Sequence, residues 1–151
     1  MITTYIMNNK LEKKLLYIKA KEYVSQLKGI ESFTISYVND EDFVWYKKQL
    51  KLFFKIEQID SRMTLEHPIS KKKLIEIVNN ILKNNGFSKC IQLFEEKIAI
   101  HLNINNLDEF LNSIFRYNQT FDLSLLFLKP ERILVINDDE YEVHLHYCIN
   151  N

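Results

Sequence analysis

The sequence predicts an α+β fold: one domain holding a mostly antiparallel sheet of five or six strands, with about four helices packed mainly on one face. Three observations carry that expectation. Apolar residues recur at helical spacing in several segments, the second half is dominated by short alternating or wholly apolar runs, and charged turns separate those runs. With 151 residues, 46% of them hydrophobic, the chain is long enough for one core. No linker, repeat or low-complexity tract divides it, so residues 1–151 are read as a single domain.

From Lys10 to Lys28, Leu16, Ala20, Tyr23, Val24 and Leu27 form an apolar stripe among Lys and Glu, and Gly29 follows as a stop, which predicts an amphipathic helix. Phe33, Ile35 and Tyr37 alternate with Thr34, Ser36 and Val38 as in a half-buried strand. A second helix starts at Asn39 or Asp40, where Asp40, Glu41 and Asp42 suit the positive end of its dipole, and is expected to run to about Lys51. Leu50, Leu52, Phe54 and Ile56 alternate, so a strand is expected within residues 50–59. Ser70 caps a third helix with a stripe of Leu74, Ile77, Val78, Ile81 and Leu82, ending at Asn85-Gly86. Cys90–Phe94 and Lys97–Asn103 form a hairpin around Glu95-Glu96. Asn106, with Glu109 three residues on, resembles a capping box for a fourth helix bearing Leu107, Phe110, Leu111 and Ile114. Three strands close the chain, Asp122–Leu128, Arg132–Asn137 and Tyr141–Cys148. The strongly apolar stretches Leu123–Leu128 and Ile133–Ile136 belong at the centre of the sheet.

Composition excludes several classes. Only Gly29 and Gly86 are glycine, and a phosphate-cradling loop needs several, so no nucleotide-binding loop is present. Twenty Lys and Arg balance twenty Asp and Glu, so no global charge favours nucleic acid or anionic lipid. No apolar stretch reaches membrane-spanning length, and the first ten residues lack the apolar core of a signal peptide, so a cytosolic protein is expected. Cys90 and Cys148 have no partner at metal-ribbon or redox spacing and are read as free thiols. The charge is unevenly spread along the chain. Residues 1–90 hold sixteen basic and ten acidic side chains, net +6, and residues 91–151 hold four basic and ten acidic, net −6.

The residues that could carry chemistry are few. His144 and His146 are two apart on the last strand and share a face with Glu142 and Cys148; a zinc site there would need a third ligand, with His101 and His67 as candidates. The simpler reading has Tyr141, Val143, Leu145 and Tyr147 facing the core and both histidines on a wet sheet face. Ser70-x-x-Lys73 matches a string found in serine penicillin-binding enzymes, but the accompanying S-D-N and K-T-G elements are absent, so Ser70 is read as a helix cap. Lys71, Lys72 and Lys73 oppose the helix dipole and, with Lys13 and Lys14, define an alternative in which the N-terminal half contacts nucleic acid. Phe43, Trp45 and Tyr46 are read as core, with an interface as the alternative. Glu95, Glu96, Asp138, Asp139, Glu140 and Glu142 lie at or beside turns. An acidic cluster there would mimic the phosphate chain that a basic toxin or nuclease binds.

Abundant Lys, Asn and Ile with scarce Ala look like the usage of an AT-rich bacterial or phage genome. Together with the size, the α+β pattern and the closing segment Leu125–Tyr147, with its Pro130-Glu131 break and Asp138-Asp139-Glu140 turn, this resembles the bacterial immunity proteins of contact-dependent growth inhibition and related polymorphic toxin systems. The resemblance implies a non-enzymatic inhibitor that binds its cognate toxin domain, often a nuclease, and occludes the active site or a neighbouring surface. No cofactor is implied. The carboxylates just named are the expected contact residues, and a metal-dependent hydrolase built on His144 and His146 remains the further alternative.

Overall fold

A computed structural model describes residues 2–55, 62–83 and 85–150, the side chains of residues 2–8 and 62 excepted. The elements in chain order are α1 (Ile2–Ser25), β1 (Ile30–Tyr37), α2 (Val44–Phe54) after a 3₁₀ turn at Asp40–Phe43, β2 (Arg62–Glu66) and α3 (Lys71–Leu82). There follow β3 (Lys89–Phe94), β4 (Ile98–Ile104), α4 (Leu107–Asn118), β5 (Leu123–Phe127), β6 (Arg132–Asp138) and β7 (Glu142–Ile149). All seven strands join one sheet in the order β1-β4-β3-β5-β6-β7-β2, and every neighbouring pair is antiparallel. The expected α+β class holds, with one or two strands more than the five or six expected.

The helix caps follow the sequence signals. The Ser70 hydroxyl accepts from the Lys73 amide at 3.1 Å, so this serine is a cap. The Asn106 side chain accepts from the Glu109 amide at 3.1 Å, but the Asn106 amide donates to the Gly29 carbonyl, so the reciprocal half of the box is replaced by a tertiary bond. Helix α1 begins earlier than its stripe suggested, since Ile2–Asn9 contains no glycine or proline to stop it.

Two predictions fail in the middle of the chain. Residues 50–54 are helix, because Tyr46, Leu50 and Phe53 recur at helical spacing and pack as one face, Tyr46 and Phe53 being buried. Leu52 and Phe54, which suggested alternation, are the exposed side of the same helix. The rest of the expected strand, residues 56–59, lies outside the described residues. The seventh strand, β2, has almost no sequence signal: it is a short edge strand pairing with β7, and only Met63 and Leu65 give it an apolar period.

Strand alternation divides the core in two. Leu125, Leu134, Ile136, Val143 and Leu145 point to one face and pack with α1, α3 and α4. Ile91, Leu126, Ile133 and Val135 point to the other face and pack under Phe43, Tyr46 and Phe53 of the 3₁₀ turn and α2. The aromatic residues read as core are indeed core, with Trp45 half-buried against them. Strands β5 and β6 are central, as their apolar runs predict.

Gly29 locks three elements together. It has φ +69°, its carbonyl accepts from both the Asn105 and Asn106 amides, and a Cβ there would sit 2.2 Å from the Asn106 carbonyl oxygen. Next to it, the Lys28 amide donates to the buried Ser113 hydroxyl of α4 at 3.0 Å. Gly29→Ala should therefore cost about 2–4 kcal/mol, combining left-handed strain with a backbone overlap. The measurement is a denaturant melt; a loss below about 0.5 kcal/mol would contradict the close approach.

Candidate functional site

Antiparallel pairing decides which turns meet. Strands β3 and β6 end, and β5 and β7 begin, at the same end of the sheet, and β1 and β2 also finish there. Glu95, Glu96, Asp138, Asp139, Glu140 and Glu142 therefore share one end. The β3–β4 turn and the β6–β7 turn are three strand positions apart in the sheet order. The structure adds members that sequence reasoning did not group with them. Asp122 opens β5 between the two turns, Asp40–Asp42 follow β1, and Glu66 closes β2 directly opposite Glu142.

These carboxylates do two different jobs. Asp138 is turned into the protein: its oxygens meet the His67 ring nitrogen at 2.8 Å and accept from the Phe121 and Glu140 amides at 3.1 and 3.3 Å. Partial burial would raise its pKa, and those bonds more than reverse this, so the carboxyl titrates below its ordinary range. Asp139 folds the turn, accepting from the Glu142 and Tyr141 amides at 2.7 and 3.0 Å and meeting His144 at 3.2 Å; the Glu142 amide is the main reason its pKa is also lowered.

Glu95, Glu96 and Glu140, by contrast, are exposed and form no ion pair among the described residues. All three adopt positive φ, 49°, 61° and 78°, a region where glycine or asparagine is lower in energy. The pair Glu66 and Glu142 adds like charges at directly opposed positions of β2 and β7, which is itself unfavourable.

Between the two turns the sheet splits. Strands β3 and β5 share only the pairs Cys90–Phe127 and Ile91–Leu126 and then part towards the acidic end. A cleft of about 570 Å³ occupies the gap, between Gln92–Phe94 on one side and Leu123–Ser124 on the other. Two hydroxyls are fixed within it. Tyr23 donates to the Gln92 side-chain oxygen at 2.9 Å, and Tyr46 shares a hydrogen bond of 2.8 Å with Ser124. Burial raises the Tyr46 pKa, the Ser124 bond partly offsets this, and the negative charge of Glu96 adds to the rise.

The histidines are not assembled as a metal site. His146 is 1% exposed and stacks on Phe53 at 5.8 Å between ring centres, which corrects the expectation that both histidines sit on a wet face: α2 covers this part of the sheet. His144 is partly exposed, between Thr64 and Asp139. His67 lies on the opposite face, stacked on Phe121. His101 is on β4, four strand spacings from β7, roughly 19 Å. Among the described residues, no group of three or more His, Cys, Asp or Glu side chains could hold a metal ion.

The remaining candidates are dispersed. Lys71, Lys72 and Lys73 are exposed at the start of α3, while Lys13 and Lys14 are exposed on α1, a different element. Cys90 and Cys148 are free, and burial pushes the Cys90 thiol up to about 12, which leaves it inert. No described helix is long and apolar enough to cross a membrane. No protein-family model, curated protein or solved structure matches the chain.

Two measurements test this division of labour. Because the folded pKa of Asp138 is lowered, its contribution to stability is complete above the unfolded value of about 4 and is lost as the pH falls through the folded value. Asp138→Asn should flatten the pH dependence of the denaturation midpoint below about pH 4, and Asp138→Ala should cost about 1 kcal/mol at neutral pH by removing the partner of the partly buried Phe121 amide and His67 ring. Glu96→Gly should instead raise stability, by about 1 kcal/mol, by relieving left-handed strain; a loss would show that the glutamate serves the fold.

Proposed function

We propose that this chain is a bacterial immunity protein that binds and neutralises a cognate toxin domain, a nuclease being the class that best fits. It acts in the cytoplasm by laying the acidic end of its sheet over the toxin's active site or an adjacent surface. The observation that carries the reading is convergence: acidic side chains between Asp40 and Glu142, far apart in sequence, meet at one end of the sheet. A nuclease presents a basic groove for phosphates, and a fixed array of carboxylates is its electrostatic complement.

Energetics support a binding role for the exposed members. Glutamate at positive φ costs about 1 kcal/mol or more at each of three positions, and the carboxylates themselves have no ion-pair partner among the described residues. Carboxylates held at such a cost and left unpaired are available to a basic partner. Size is also suitable. Six strand spacings across, with a helix layer on each side, give an end face of roughly 29 by 30 Å, close to the ~800 Å² that one partner contributes to a standard interface.

The first test is genomic: the reading requires a large secreted protein with a variable C-terminal domain to be encoded beside this gene, and that domain is the binding partner to use. Co-expression should protect cells from that domain, and the purified pair should bind tightly. Glu95→Lys, Glu96→Lys and Glu140→Lys together should slow association roughly ten- to a hundredfold at low ionic strength and flatten its salt dependence, while stability stays nearly constant because lysine bears the same left-handed strain. Absence of both protection and binding would overturn the assignment; unchanged association in the triple variant would overturn the placement of the interface.

A further inference from the structure

We propose that the split between β3 and β5 is the seat of an arginine side chain from the bound partner. This rests on the inhibitor reading for the source of the arginine, whereas the chemistry of the cleft is its own. The cleft is large enough for a long side chain, and it lies midway along the acidic end, between the β3–β4 turn and the β6–β7 turn. Its rim carries Glu95 and Glu96, whose carboxylates have no ion-pair partner among the described residues. Lys47, the cation on its lining, is already paired with Asp40.

Its walls are aromatic. Tyr117 is 42% exposed, with its ring set edge-on to Tyr23 at 4.8 Å, and Phe54 presents an exposed ring from α2. Between these walls β3 and β5 continue without ladder pairs beyond Ile91 and Leu126. A planar cation with five forked donors matches carboxylates at the rim, ring faces at the side and backbone acceptors at a parted strand edge; a lysine ammonium, a compact and strongly hydrated charge, matches only the first. Apolar ligands would leave the rim charges desolvated and unpaired.

The probe is the peptide acetyl-Gly-Arg-Gly-amide, titrated into the full chain and followed by ¹H–¹⁵N NMR, with the lysine and citrulline peptides as controls. The expected result is weak but saturable shifts at the Phe94, Tyr117 and Ser124 amides. The lysine peptide should bind several-fold more weakly and the citrulline peptide without saturation. Glu95→Gln with Glu96→Gln should weaken arginine binding about tenfold or more, and Tyr117→Ala, a change at an exposed ring, several-fold. Shifts that do not saturate, equal binding of citrulline, or indifference to these variants would overturn the seat. Saturable arginine binding without any toxin partner would overturn the immunity reading alone. Toxin binding with no response of the cleft to the peptide would overturn the arginine seat alone.

Discussion

Burial of the central strands on both faces is the constraint from which the rest follows. Ile133 and Val135 of β6 point one way and Leu134 and Ile136 the other, and all four are at most 2% exposed. A strand apolar on both sides must be roofed twice, because either open face would leave a wide hydrophobic surface in water. Helices α1, α3 and α4 form one roof and the shorter α2 the other. Where α2 no longer reaches, the strands turn polar: Ser32 and Thr34 of β1 and His101 and Asn103 of β4 line an open part of that face.

A double roof leaves the sheet few places for charge. Its central faces are occupied, so ionised side chains collect on the outer surfaces of the helices, on the open part of the sheet and at the ends of the strands. At one end, where all seven strands start or finish, two hairpin turns and three connections bring carboxylates together. Some of them are absorbed by the fold itself, with Asp138 and Asp139 satisfying backbone amides and two histidines. Others are left facing water. The distinction is between charge that shapes a turn and charge that the turn displays.

Much of the fold could be read locally because its signals are local. Caps at Ser70 and Asn106, the stripes of α3 and α4 and the apolar runs of β5 and β6 each depend on a few adjacent residues. The failures have non-local causes. Leu50–Phe54 satisfies both an alternating and a helical pattern, and only the presence of Ile133 and Val135 across the interface selects the helix. The burial of His146 has the same kind of cause: a strand face is wet or dry according to what covers it, and α2 lies roughly a hundred residues away in sequence. For the candidate site, the six carboxylates were legible from their turns. Their meeting with Asp122 and Glu66 depended on strand register, and the cleft depended on where a ladder stops; neither leaves a local trace.

The strand parting and the strained turns bear on each other. A β3–β5 ladder continued to Leu123 would close the sheet at the acidic end, add backbone hydrogen bonds and remove the cleft. Asparagine and glycine in place of Glu95 and Glu96 would relax the adjoining turn. Both changes favour stability, and a domain whose net stability is typically only about 5–15 kcal/mol is sensitive to either. The parted ladder and the strained turn therefore fall at the same end of the sheet, where Glu95, Glu96 and Glu140 have no ion-pair partner among the described residues, while the rings of His144 and His146 are engaged by Asp139, Thr64 and Phe53.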